Sequence, residues 1–270
     1  MHVGDGQITA GCAVVAAGVS SLAVGSCVVL AGRSERPIAS RFAAAVGFVF
    51  AMQALNLPAL PGISGHLLGG VLLAWWFGPV FATIGMTIVL LLQSLLLGDG
   101  GLMALGVNVL TMAVLPAAVV FPIWKRFFGR STRSTQIVSL AAAAWASVVL
   151  AAGVCALLLE TPGTLSAMLV SHAAIGVLEA AITVAAILAA EQLSPKLAPV
   201  AIALAVLAAA FGSSPWPDGL EYSVSLAGVA EAVEAAETSV LADLAMLATG
   251  TLLAAAAAFL AGVRRPLPRP

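Results

Sequence analysis

Charge is what this chain has least of. Asp, Glu, Lys and Arg together make up 9% of its 270 residues, against roughly a quarter in soluble globular domains. An ordinary water-soluble domain is excluded, and no nucleic-acid partner is expected. Cysteine is scarce too: Cys12, Cys27 and Cys155 sit singly inside apolar runs, with no CxxC pair and no disulfide framework. No HExxH motif is present, which argues against an intramembrane metalloenzyme. There is no GxxxxGK[ST] loop either, so this chain does not itself harvest ATP by the usual route. The first 30 residues lack a basic start, the first arginine being Arg33. They are expected to stay in the mature protein rather than act as a cleaved signal peptide.

Apolar residues fill the space that charge leaves. They make up 61% of the chain, and the mean hydropathy is +1.11, the balance of a membrane protein whose helices satisfy their own backbone groups in lipid. The expected fold is all-α, a polytopic transmembrane helix bundle with a seven-helix core over residues 1–192 and two more spans in 193–270. The spans run from about Ile8 to Ala31, Pro37 to Leu55, His66 to Phe77, Val80 to Leu97, Leu102 to Trp124, Gln136 to Leu159, Leu165 to Ala190, Leu197 to Phe211 and Ser239 to Val263. The third is short for a hydrocarbon core of about 30 Å, so it is half-buried, tilted or continued past Pro79.

Basic residues orient these spans. With the amino terminus outside, nine crossings bring all 11 Lys and Arg residues to the cytoplasmic side, where the carboxyl terminus also falls. His2, His66 and His172 then lie at the outer ends or loops, together with Asp5, Asp99, Glu160, Asp218 and Glu221. Such a face collects cations, which fits an importer better than a cytoplasmic enzyme.

His2 gives that face its chemistry. Behind Met1 it offers three nitrogens to one ion: the Met1 α-amine, the His2 amide and the His2 imidazole. Methionine before a bulky residue is generally spared by aminopeptidases, so the amine is expected to persist. Nickel(II), copper(II) and low-spin cobalt(II) favour planar nitrogen fields, and a metal-displaced amide proton leaves a strong donor. One position in the plane stays open. His66, at the start of a span after Gly62-Ile-Ser-Gly, could fill it if the terminus folds back; alone, it would more often cap a helix or pack on neighbours. Gly4-Asp5-Gly6 offers the turn, or else is a flexible end.

Amides and carboxylates in apolar surroundings complete the candidates. Gln93 precedes Gly98-Asp99-Gly100-Gly101, and Asn108 follows inside the next span. Each could hold the folded-back terminus or orient a ligand imidazole, or could join two helices by a hydrogen bond. Glu179 lies about two turns beyond His172 within a span, either as a functional carboxylate or as a neutral structural acid. The small residues Ala43, Gly47 and Ala51 suit close helix packing, more readily inside the subunit than against a partner.

Five blocks then resemble one family in order. They are Met1-His2-Val3-Gly4-Asp5-Gly6, Ser64 to Gly70, QSLLLGDGG over Gln93 to Gly101, Ala104 to Met112, and His172 to Thr183. Together they resemble the cobalt/nickel substrate-capture subunits of energy-coupling-factor transporters, the CbiM/NikM family, over about Met1 to Ala190. The resemblance implies metal binding by the Met1 amine, the His2 amide and imidazole, and His66, with Ni²⁺ or Co²⁺ as transported substrate and no organic cofactor. Asp5, Gln93, Asp99, Asn108, His172 and Glu179 are the candidates to support that site rather than bind the ion, His172 alternatively as part of a lid; the resemblance includes Glu179 without making it a ligand. It also implies partners: a transmembrane coupling subunit and a pair of cytoplasmic ABC-type ATPases, in a bacterial or archaeal cell membrane. Gly4 stands where members usually carry proline, and Gly98 to Gly101 looks more like the nickel members. Pro217-Asp-Gly-Leu-Glu221 resembles the small two-helix CbiN/NikN companion, here fused, which implies a role in loading or release and no ligand role for Asp218. Its alternative is a solvated acidic loop with Glu231, Glu234 and Glu237.

Overall fold

In the computed structural model of the protein, residues 1–159, 161, 163–192 and 214–227 are described. Two of the expected spans, Leu197 to Phe211 and Ser239 to Val263, lie outside them, as do Glu160, Lys196, Glu231, Glu234, Glu237, Arg264, Arg265 and Arg269.

Helices dominate. They are α1 (Ala10–Arg33), α2 (Ala39–Gln53), α3 (Gly70–Leu92), α4 (Leu105–Val109), α5 (Phe121–Phe128), α6 (Arg133–Leu158), α7 (Thr164–Gln192) and α8 (Gly219–Leu226). A π-helical stretch, Leu110–Val120, joins α4 to α5, and another, Gln93–Leu97, extends α3. Five stretches are long and apolar enough to cross a membrane: Ala10–Arg33, Gly70–Leu97, Leu105–Phe128, Arg133–Leu158 and Thr164–Glu191. Starts are set by local chemistry, Thr9 capping α1 through a hydroxyl that accepts from the Cys12 amide at 3.0 Å. The outward face of α1 is apolar, with Val14, Val15, Leu22 and Val29 all exposed, as a lipid-facing helix requires. Ala43, Gly47 and Ala51 face inward on α2, so the small-residue stripe serves internal packing.

α3 is folded back on itself. Gly78 has φ 76° and ψ 168°, outside the helical region, and Pro79 follows. A straight helix of 23 residues would hold its ends about 34 Å apart. Yet His66 just before α3 and Gln93 just after it both contact the first two residues of the chain. Trp75 near the fold lies instead by Trp124, ring centroids 5.5 Å apart, and under the Arg133 guanidinium at 5.0 Å. The short third span is therefore a half-length descent, 70–77, and 79–97 returns to the level where it began. It starts later than expected, because residues 66–69 form a non-helical segment closed by Gly69 in the left-handed region.

One end of the bundle is basic and the other holds the buried terminus. Arg33 ends α1, Lys125 and Arg126 lie in the last turn of α5, and Arg133 opens α6 and pairs with Glu191 at the end of α7. The all-α expectation needs one addition at the opposite end. Leu57–Leu60 (β1) and Ile63–Gly65 (β2) form an antiparallel hairpin, and Ser64 also pairs in parallel with Asp218. A strand forms here because Pro58 and Pro61 forbid helix and Gly62 takes the positive φ of the turn.

Candidate metal centre

The chain starts inside the bundle. Met1 is 4% exposed and Val3 fully buried, so the backbone polar groups of this segment must find partners in the protein. Val3 finds three. Its N–H donates to Asn108 Oδ1 at 2.8 Å, and its carbonyl accepts from Asn108 Nδ2 at 3.0 Å and from the Gly101 amide at 2.9 Å. Asp5 then anchors the exit, one carboxylate oxygen accepting from the amides of Met103 at 2.8 Å and Ala104 at 3.1 Å. Gly6, at φ 85°, turns the chain into α1.

Glycine makes this threading possible. A β-carbon at Gly101 would overlap the Asp5 side chain and backbone, and one at Gly100 would lie 2.8 Å from Asn108 Nδ2. At Gly65 it would meet Ile175 at 2.6 Å. The residue before His66 is thus constrained by α7, which the sequence reading did not anticipate.

His66 is held from both sides. Glu179 reaches from α7 and accepts from the Leu68 amide at 2.5 Å and the Gly69 amide at 2.9 Å. Gln53 Nε2 donates to the Leu68 carbonyl at 2.7 Å. The His66 Nδ1 faces the Leu67 carbonyl at 3.1 Å, and a carbonyl only accepts, so Nδ1 carries the proton. Nε2 is left with its lone pair, aimed at the Met1 amine 2.8 Å away.

His2 lies alongside. Its ring stacks on His66 with centroids 5.0 Å apart and planes 26° from parallel. Nε2 is 3.2 Å from Gln93 Oε1, and Nδ1 is 3.1 Å from the half-exposed Asp99. Burial first, and then the charge of the amine, hold both imidazoles down at about 3, so both are neutral near pH 7.

Asp218 is the group whose contact with the amine the sequence did not reveal. Its Oδ2 accepts from the Met1 amine at 2.5 Å, and its Oδ1 caps α8 by accepting from Leu220 N at 2.8 Å and Glu221 N at 2.9 Å. Glu221 completes the capping box, its Oε2 accepting from the Asp218 amide at 3.0 Å. The segment is docked by Ser64, whose amide donates to the Pro217 carbonyl at 2.9 Å and whose hydroxyl donates to the Trp216 carbonyl at 2.7 Å. Burial raises the Asp218 pKa, but the amine, His66 and the hydrogen bonds outweigh it and keep the carboxyl below the usual range. The solvated-loop alternative therefore fails for Asp218. The sequence places this segment in the outer loop but does not show its contact across 217 positions.

His172 stands apart from these bonds. Buried in α7, it donates from Nδ1 to the Met168 carbonyl at 2.9 Å. Its ring borders, with Met1, His66 and Asp218, a cavity of about 10 Å³, roughly the space of one water. Among the described residues no three His, Cys, Asp or Glu side chains form a metal-binding cluster. What meets here is instead an amine and two imidazoles, with the His2 amide next to the amine along the chain. A metal about 2.0 Å from each nitrogen places adjacent corners of a square about 2.8 Å apart, and the amine and His66 Nε2 are 2.8 Å apart.

Known proteins resemble this chain over much of its length. The chain is 32% identical over 247 residues to a putative fused nickel transport protein NikMN of Archaeoglobus fulgidus, covering 87% of this chain and 81% of that one. It is 42% identical over 96 residues to a cobalt transport protein CbiM of Roseiflexus sp., 36% of this chain and 38% of that one. A crystal structure of a truncated transition metal transporter superposes with a TM-score of 0.62 at 26% identity, covering 71% of this chain and 99% of that one. Residues 2–197 match the family model described as the cobalt uptake substrate-specific transmembrane region, CbiM, and this chain belongs to that family.

Proposed function

We propose that the protein is the substrate-capture component of an ATP-driven importer of Ni²⁺ or Co²⁺. The ion is bound on the extracytoplasmic side by the Met1 amine, the His2 amide and imidazole nitrogens and His66 Nε2, and is released to the cytoplasm. One observation carries this reading above the rest: the first amine sits 2.8 Å from a bare imidazole nitrogen 65 residues away. A terminus is buried at such cost only if the fold holds it, and Asn108, Gly101 and Asp5 do so.

The named residues divide the work. Gln93 orients the His2 ring, Asn108 and Asp5 fix the path of the terminus, and Glu179 fixes the segment that presents His66. Asp99 lies at the rim where an ion arrives. A coupling subunit and a pair of ATPases supply the energy, since the sequence lacks a nucleotide-binding loop of its own. Residues 193–270 form a fused companion segment to the 1–192 core. The grouping of basic residues at the end away from the site supports an outward-facing amino terminus in the bacterial or archaeal cell membrane. Relatives named for nickel and for cobalt support the ion class, and a planar nitrogen field with a displaced amide favours nickel.

Nickel titration of the purified full chain tests this, with its first residue determined by mass spectrometry. His2→Ala, His66→Ala and a variant with one residue added before Met1 are each expected to abolish stoichiometric binding. Unchanged binding in all three removes the site.

A further inference from the structure

The free site already carries one positive charge, buried, and one negative charge, largely buried. The positive charge is the Met1 ammonium; the negative charge is Asp218, whose side chain is 15% exposed. Asp99 bears a second carboxylate near His2, at the rim and 38% exposed, and it does not contact the amine.

Loading a divalent ion conserves that balance. The amine loses one proton to become a donor and the His2 amide loses another, so M²⁺ enters and two protons leave. The product, M²⁺ on one amide anion and neutral nitrogens, again carries a single positive charge. The carboxylate that touches the amine thus faces the same net charge whether the site is empty or full. The coordinated amine keeps two N–H bonds, so Asp218 Oδ2 can go on accepting from it after the proton facing His66 has gone.

We propose that Asp218, supplied by the C-terminal segment, is the positioning residue and counter-charge of the metal site. It is not a ligand. It holds the amine so that the lone pair freed by deprotonation can share one ion with the lone pair of His66 Nε2, 2.8 Å away, and it neutralises the complex formed there. Its other oxygen is committed to the α8 amides, which fixes the carboxylate from behind. Gly219 supports the same placement, since a β-carbon there would lie 2.6 Å from the His172 ring. Charge matching favours ions that displace the amide proton. A divalent ion that left the amide intact would strand an extra buried charge.

This inference rests on the reading of Met1, His2 and His66 as donors, and the experiment separates the two. Purified full chains are titrated with NiCl₂ while the visible spectrum of the planar nickel complex is followed. Asp218→Asn is expected to weaken nickel binding by about 10- to 100-fold, the usual cost of removing a group that orients a metal ligand, while the spectrum at saturation keeps its wild-type shape. Glu221→Gln, which alters the cap but leaves the amine contact, is expected to bind like wild type. Asp218→Glu is expected to recover part of the loss, and it carries the test if the Asn variant does not fold. Wild-type affinity in Asp218→Asn overturns the inference, as does a changed spectrum at saturation, which makes Asp218 a ligand. If His66→Ala also binds as wild type does, the donor reading itself has failed.

Discussion

Asn108 grips Val3 as a neighbouring β-strand would, accepting from its N–H at 2.8 Å and donating to its carbonyl at 3.0 Å. A single side chain on α4 therefore replaces a whole strand. Asn108→Ala leaves two backbone groups of a fully buried residue with one partner between them, the Gly101 amide. Each orphaned group costs about 1–3 kcal/mol. The terminus is expected to leave its slot, lowering nickel affinity by roughly tenfold or more while the helical content stays unchanged. Nickel titration beside circular dichroism measures both, and retained affinity would show that the slot is held by other contacts.

Gly101→Ala attacks the same slot from the other wall. Its new methyl group would occupy the place of the Asp5 carboxylate, and Asp5 would have to release the amides of Met103 and Ala104. The first amine is expected to become reactive toward an amine-modifying reagent that it resists in the wild type. Mass spectrometry of the labelled terminus reads the outcome; equal protection in both proteins would count against a threaded terminus.

Acid acts through the protons that the metal displaces. With both imidazoles near 3, neither titrates between pH 5 and 8, and the amine and amide protons govern binding. Affinity is expected to rise with pH by up to about a hundredfold per unit, two protons leaving per ion, without an inflection near the ordinary histidine value of 6.5. The free protein responds in the same direction. Below 6.5 the unfolded chain protonates histidines that the folded chain keeps neutral, so stability falls as pH drops from 6.5 toward 3. Asp218, held low when folded, adds a further loss as pH falls below the ordinary carboxylate range. Calorimetric titrations in two buffers of different ionisation enthalpy count the protons; release of one or none excludes the amide as a donor.

Much of this was legible because membrane helices announce themselves by apolar length. α1, α2, α6 and α7 fall close to the spans read from hydropathy, and the shortness of the third span, with Gly78-Pro79 behind it, pointed to something other than a full crossing. That it folds back required knowing that residues 66 and 93 meet the same dipeptide. The candidates Met1, His2, His66, Gln93 and Asn108 were visible as polar groups in apolar surroundings, and the structure brings them together. Asp5 was visible too, but it ties down the 103–104 backbone rather than touching His2 or His66. Asp218 was hidden because Asp-Gly-Leu-Glu is a complete local explanation of itself, a helix cap. Nothing in that cap says which second group the other oxygen takes. The β1–β2 hairpin escaped for a similar reason: its strands of four and three residues are too short to show alternation.

Glu179 offers the most selective test of how His66 is presented. Both of its oxygens accept backbone N–H groups, from Leu68 and Gly69, and Gly69 takes φ 81° with Val49 packed where a β-carbon would be. Glu179→Gln keeps the size of the side chain but turns one acceptor into a donor facing an N–H. One of the two amides loses its partner, at about 1–3 kcal/mol, and the 66–69 segment is free to shift. The amino-terminal half of the site, pinned by Asn108 and Gly101, stays in place. Nickel is therefore expected to bind through the amine, the amide and His2 alone, with affinity reduced by about 10- to 100-fold and a visible spectrum altered toward that of His66→Ala. Coincident spectra of the Glu179→Gln and His66→Ala complexes would place the effect of the intramembrane carboxylate on His66. A Glu179→Gln protein with the wild-type spectrum and affinity would instead assign Glu179 a role unconnected with the metal.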